Sequence, residues 1–438
     1  MKKILFLFLV FYVLPSFGQS NKIELYEFTL ENGLNVVLNP DKTSPIVVVD
    51  ICYHVGSKNE YDKRNGFAHL FEHLMFDGST NVDRGDFDKY IYSAGGDDNA
   101  FTNEDVTNYF DILPSNQLEL ALWLESDRML QFAVRDISLK VQKGVVKEER
   151  KQSYENQPYG TVQINLAETA YTTHPYKWPV IGYAQDIDAA TLKDVKDFFE
   201  TFYVPNNATL VIVGDIDVQK TKELVKKYFG DIPRGKKEIN RNFPKEPPRT
   251  KQMRRLFTDK IMFDGVFMAY HIPELGHEDS YALELLANIL SSGKSSRLYE
   301  RMVYQDQVAL EASCYADLRE DPGLFIFSSI SSGKLKAHEL ENIIYEEIEK
   351  IQTNGVPEEE LIKVKNKFES NFIYKLEMPY QRAVQLALYK TLQKDANLIN
   401  TEIEKYLKVT PQDIQKVAKK YLQKENSVVL HYKPEQTN

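Results

Sequence analysis

Between Ile46 and Val55, apolar side chains fall on every second position: Val47, Val49, Ile51, Tyr53 and Val55. That is the period of a strand with one face turned inward. Upstream, two extended runs between Tyr26 and Leu38 flank Asn32-Gly33, a strong tight-hairpin signal. From about Gly66 to Phe76 the period lengthens to that of a helix, and similar patterning predicts helices over 115–133, 138–155 and 191–203. Ala208 to Val213 then reads as a strand.

The chain changes character between Asp231 and Arg255, where Pro233, Pro244, Pro247 and Pro248 stand among Lys and Arg with few apolar residues, the composition of a linker. Beyond it the pattern recurs. Thr191 to Val211 and Thr410 to Leu430 align without gaps at an offset of 219 (410 − 191), matching Thr191 with Thr410, Asp194 with Asp413, Val195 with Ile414 and Asn207 with Asn426. Each copy has a capping Thr that opens an amphipathic helix leading through Asn to an apolar strand. Duplication explains the matched cap and turn residues better than convergent patterning. The expected fold class is α+β: two homologous domains, each with helices on one face of a mostly antiparallel sheet. The expected boundaries are 19–230, a linker at 231–255, and 256–438.

Composition narrows the class. With 42% hydrophobic, 12% aromatic and 27% charged residues, the 438-residue chain is an ordinary globular protein. Lys2 and Lys3 precede an apolar run from Ile4 to Leu14, then Pro15-Ser16-Phe17-Gly18, which reads as a signal peptide over residues 1–18. The run is short for a membrane span, and no other segment is long and apolar enough, so export to the periplasm or the medium without stable membrane insertion is expected. Cleavage removes two lysines and moves the formal charge from −10 to −12, which argues against nucleic acid or an anionic membrane as partner. Two cysteines, Cys52 and Cys314, make no disulfide framework, and Cys52 reads as a buried apolar residue.

Of eight histidines only His69 and His73 stand four apart in a helical pattern, so both imidazoles share one helix face. Glu72, three after His69, reaches the same side, giving His69-Leu70-Phe71-Glu72-His73, the H-x-x-E-H arrangement of inverted zincins. Zinc favours imidazole nitrogen, and a catalytic site keeps one position open for water. A carboxylate beside it that is not a ligand can take the proton and pass it to a leaving amine, which is the role expected of Glu72. A surface helix with two histidines is the bland alternative. The flanking Phe67, Leu70, Phe71, Leu74 and Phe76 make the helix largely buried, and grouped polar side chains there need a partner. A third ligand is required, and Val145-Val146-Lys147-Glu148-Glu149-Arg150 offers two adjacent carboxylates between which local pattern does not choose.

With these motifs the sequence resembles the pitrilysin/insulinase family of zinc peptidases, closest to its shorter two-domain members and the mitochondrial processing peptidases. The resemblance runs from Leu34-Asn35-Val36-Val37 through Gly66–Phe76 and Asn99-Ala100-Phe101-Thr102 to Ser295-Ser296-Arg297-Leu298. It implies Zn2+ held by His69, His73 and Glu149, with Glu148 the lesser possibility. It also implies an edge strand at Asn99 and Ala100 that pairs with an extended peptide, and a clamshell with the 231–255 linker as its hinge. The second copy places Glu284-Leu285-Leu286-Ala287-Asn288 opposite the zinc motif and is expected to bind no metal. Many members also carry an Arg and a Tyr seven apart that hold substrate and the oxyanion. Here those positions are Val303 and Leu310, and Arg297 with Tyr304 are unconvincing substitutes. The resemblance therefore implies a zinc endopeptidase for unfolded or short peptides, paired as a homo- or heterodimer with a homologous chain. The alternative is a non-catalytic scaffold or assembly subunit of the same fold.

Overall fold

The computed structural model describes residues 22–131 and 134–435. The proposed signal peptide lies outside the described residues.

Among the described residues, eleven strands form two sheets. Tyr26–Thr29 (β1), Asn35–Pro40 (β2), Ile46–Tyr53 (β3), Asp97–Thr102 (β4), Thr107–Pro114 (β5) and Ala208–Gly214 (β6) make the first, in the order β1-β2-β6-β3-β5-β4. Met253–Asp259 (β7), Gly265–His271 (β8), Ala309–Asp317 (β9), Leu324–Ser331 (β10) and Val428–Pro434 (β11) make the second, in the order β7-β11-β8-β10-β9. Removing β1 makes the two sheets equivalent strand for strand. β2 with β6 and β7 with β11 are the parallel pairs, and the other neighbours are antiparallel.

The cap residues behave alike in both copies. Thr191 and Thr410 open the helices Leu192–Phe202 and Pro411–Tyr421. Each Thr Oγ1 accepts from the N–H of Asp194 or Asp413 (3.2 Å in both), and each Asp carboxylate accepts from the Thr N–H (3.0 and 2.9 Å). Such reciprocal caps satisfy donors that a helix start leaves free.

One expectation needs correcting: helices cover both faces of each sheet, and the second cover comes from the opposite half. On the first sheet, Val37, Val48, Cys52, Val211 and Val213 pack against Ala383, Leu386, Ala387 and Ile399, which follow the second sheet's helical layer. On the second sheet, Phe267, Ala269, Leu324, Ile326 and Leu430 pack against Val162, Leu166, Ala170 and Tyr171 of the first half. The two halves therefore share two cores. Rotation about 231–255 would expose both, so that segment is a strap and not the hinge the resemblance suggested. Arg241 Nη2 ties it to the His54 carbonyl (2.7 Å), and Glu246 accepts from the N–H groups of Thr172, Thr173 and His174 (2.8, 2.8 and 3.0 Å).

Shared cores make a testable statement about cooperativity. Leu386→Ala, at a fully buried site between halves, is expected to cost about 2–5 kcal/mol. Denaturant unfolding followed by circular dichroism and by tryptophan fluorescence should give one coincident transition for wild type and variant. Two separated transitions would mean the halves fold independently.

Cys52 and Cys314 are free and buried, one in each sheet. Burial pushes the Cys314 thiol up to about 12, so both read as apolar packing.

Candidate active site

The helix Phe67–Leu74 buries Phe67, Ala68, Leu70, Phe71 and Leu74 against the first sheet, leaving His69, Glu72 and His73 on its opposite side. Its start is fixed by Gly66, whose φ of +88° suits glycine, and a Cβ there would lie 2.8 Å from the Cα of Gly182. Glu60, which sequence reasoning did not single out, caps the helix: its carboxylate accepts from the N–H groups of Gly66 (2.7 Å) and Ala68 (2.9 Å). Burial pushes this carboxyl up to about 8, against the pull of those donors.

The helix Asp136–Arg150 lies alongside and separates the two candidate carboxylates. Val146 is buried and Glu149, one turn on, points to the imidazoles: Oε2 is 3.2 Å from His73 Nε2 and Oε1 is 3.7 Å from His69 Nε2. Glu148 shares the exposed side with Val145 and lies near Lys151, 3.8 Å away. One ligand atom from each of His69, His73 and Glu149 can be chosen so that all lie within 4.8 Å of one another, the one such His/Cys/Asp/Glu group among the described residues. Bonds of about 2.0–2.2 Å in a tetrahedron place ligands roughly 3.3–3.6 Å apart, so this trio would fit a zinc ion with shifts of about 1 Å at most.

Electrostatics suit the same purpose. Burial, with the neighbouring His73, lowers His69 to about 4, which keeps its imidazole neutral. A hydrogen bond from His73 lowers the Glu149 carboxyl and keeps it ionised. Neutral nitrogen and anionic oxygen are the states that bind a metal.

Glu72 stands apart from the trio. Its Oε2 accepts a 2.6 Å hydrogen bond from the Thr102 hydroxyl, a contact the sequence reading did not anticipate. Burial raises its carboxyl above the usual range, partly offset by Thr102.

Thr102 ends β4, the strand at the sheet's free edge, so the segment containing Asn99 and Ala100 has a neighbour on one side only. Along the other side, the N–H groups of Asp98 and Ala100 donate to the Oδ1 atoms of Asp97 (3.1 Å) and Asn99 (2.8 Å) instead of to a strand. The cleft between edge and helix is lined by His69, Glu72, Ala100, Thr102, Glu149 and Tyr154.

In the second half, the helix Glu278–Ser291 takes the place of the histidine helix and buries Leu285 and Leu286. Val303 packs half-buried against that half's core, and Leu310 is exposed on β9. Arg297 forks onto Glu360 (3.0 and 2.6 Å) and Tyr304 is largely exposed, so they do not act as a pair here.

A helix-borne H-x-x-E-H meeting a glutamate from a neighbouring helix, on a repeated α+β frame, defines the inverted-zincin arrangement. Residues 35–183 match the family model for insulinase (peptidase family M16), and residues 189–368 match that for the peptidase M16 inactive domain. The chain belongs to the M16 family, the pitrilysin/insulinase peptidases. It is 32% identical over 409 residues to the zinc protease PqqE of Helicobacter pylori, covering 93% of this chain and 92% of that one. It is 25% identical over 381 residues to the uncharacterized zinc protease YmxG of Bacillus subtilis, covering 85% and 91%. A crystal structure of a protease from Helicobacter pylori superposes with a TM-score of 0.91 at 32% identity, covering 94% of this chain and all of that one. A peptidase M16 inactive domain from Pseudomonas fluorescens shares the fold, with a TM-score of 0.86 at 16% identity.

Proposed function

We propose that this protein is a zinc-dependent endopeptidase in which His69, His73 and Glu149 hold the metal and Glu72 is the general base. The observation that carries this reading is the convergence of two imidazoles and one carboxylate on one point, with a second, unligated carboxylate beside a free strand edge. Zinc in such a site polarises a peptide carbonyl and lowers the pKa of a water molecule.

The chain's own residues do the rest. The outer edge of β4 takes an extended peptide as an added strand, and a substrate carbonyl replaces Asn99 Oδ1 on the N–H of Ala100. Backbone pairing is indifferent to side chains, so unfolded or short peptides are the expected substrates. Thr102 holds one oxygen of Glu72, leaving the other to take a proton and pass it to the leaving amine.

Val303 and Leu310 supply no oxyanion donor, which supports pairing with a homologous chain that carries the Arg and Tyr. Among the described residues no helix is long and apolar enough to cross a membrane. With the N-terminal pattern, this supports a periplasmic or secreted location.

The test is hydrolysis of a quenched fluorescent peptide by the purified protein, alone and with a co-encoded homologue. Turnover abolished by chelator and restored by zinc is the expected result. Bound zinc without turnover by the single chain, and turnover on adding the homologue, would assign this chain the zinc-bearing half. A protein that binds no zinc would refute the peptidase reading and favour the scaffold.

A further inference from the structure

Glu72 is aimed by Thr102, and Thr102 ends an edge strand with a single neighbour, so something beyond that neighbour has to fix it. The turn that follows, Asn103 to Val106, is clamped from two sides. On its own half, Asn103 Oδ1 accepts from the N–H groups of Asp105 and Val106 (2.8 Å each). The N–H groups of Ser57 and Lys58 donate to the carbonyls of Asn103 and Glu104 (3.1 Å each). Gly56 lets the two segments touch: a Cβ there would lie 2.3 Å from the Glu104 carbonyl carbon.

The other side is the turn between β9 and β10, from the half that carries no histidine motif. Arg319 Nη2 pairs with Glu104 Oε1 (2.9 Å), and the N–H of Glu320 donates to Asp105 Oδ2 (3.0 Å). Lys58 Nζ sits among Asp105, Glu320 and Asp321 at 2.8, 2.6 and 3.1 Å. Tyr176 donates to Asp105 Oδ1 (2.6 Å) and accepts from the N–H of Asp321 (3.0 Å). The centre of this network is withdrawn from water, with the Lys58 side chain 1% exposed, Asp105 5% and Arg319 12%, while Glu320 and Asp321 at its rim are 25% and 35% exposed. Solvated ion pairs hold geometry weakly, whereas a buried network with its charges paired specifies one arrangement. By strand equivalence, β4–β5 and β9–β10 are the same hairpin in the two copies, so the repeat's two equivalent turns grip each other beside the site.

We propose that the Arg319–Asp321 turn of the metal-free half is a positioning element for the reaction. By clamping residues 103–106 it sets Thr102, and through Thr102 the direction of the Glu72 carboxylate. This rests on the peptidase reading, and it gives the second half a task in catalysis without a metal of its own.

The test uses the full zinc-loaded chain with Arg319→Gln and Glu104→Gln, which break the same pair from opposite sides and guard against one variant failing to fold. Each is expected to lower kcat about tenfold, short of the ~10²-fold loss for a 1 Å misplacement, with KM and zinc content unchanged. In a Thr102→Val background neither should lower kcat further, because the route to Glu72 is already cut. Amide hydrogen exchange should speed up over 97–106 in both variants. Unchanged kcat, losses that multiply with Thr102→Val, losses that track zinc, or unchanged exchange would each overturn the proposal. If the wild type binds zinc but cleaves no peptide even with the homologue added, the peptidase reading fails separately and exchange alone decides whether the clamp exists.

Discussion

Glu72→Gln is expected to keep its zinc and lose turnover by a factor of about 10²–10⁴, the usual contribution of a positioned acid–base group. Retention follows from geometry. The proposed ligand atoms are those of His69, His73 and Glu149, and Glu72 is engaged with Thr102 at 2.6 Å. Glutamine keeps the volume and can still accept from the Thr102 hydroxyl, so helix and trio should stay as they are. It has no site that takes up a proton near neutrality, so neither water activation nor leaving-group protonation can pass through it. Metal analysis with steady-state hydrolysis of one peptide separates the two effects. A variant with full zinc and undiminished kcat would remove Glu72 from the chemistry. One that loses zinc would place its carboxylate among the ligands.

The histidine motif was legible because helix periodicity alone puts residues four apart on one face. The repeat was legible because Thr191 and Thr410 do the same capping work. What the sequence hid depends on contacts far along the chain. β3 was read as one-faced from Val47, Val49, Ile51 and Tyr53, yet Val48 and Cys52 are buried too, under the helix Pro379–Leu388 of the other half. The apolar residues at those intervening positions carried the signal, but no local pattern says which distant helix supplies the cover. Thr102 and Glu60 look like ordinary polar residues until the hairpin and the loop fold back onto the histidine helix. The grip of Arg319 on Glu104 spans the linker and has no local signature at all.

Between Glu148 and Glu149, helix phase decides, and that phase was ambiguous because Val145 and Val146 are both apolar. The structure buries Val146 and exposes Val145, which turns Glu149 inward with the first and Glu148 outward with the second. Glu149→Gln is therefore expected to lose zinc, and Glu148→Gln to keep it. Glu149 brings the only negative charge to the trio, and a hydrogen bond from His73 already holds its carboxyl below the usual range, in the ionised form that a metal requires. Its loss leaves a dication on two neutral imidazoles, so affinity should fall by more than the ~10–100-fold seen when only an outer-shell partner is removed. Dialysis against graded chelator followed by metal analysis reads this directly. Activity of Glu149→Gln should be absent at trace zinc and return in part when zinc is supplied in excess. Zinc kept by Glu149→Gln and lost by Glu148→Gln would require the helix to turn by about 100°, moving Val146 out of the core and Val145 into it.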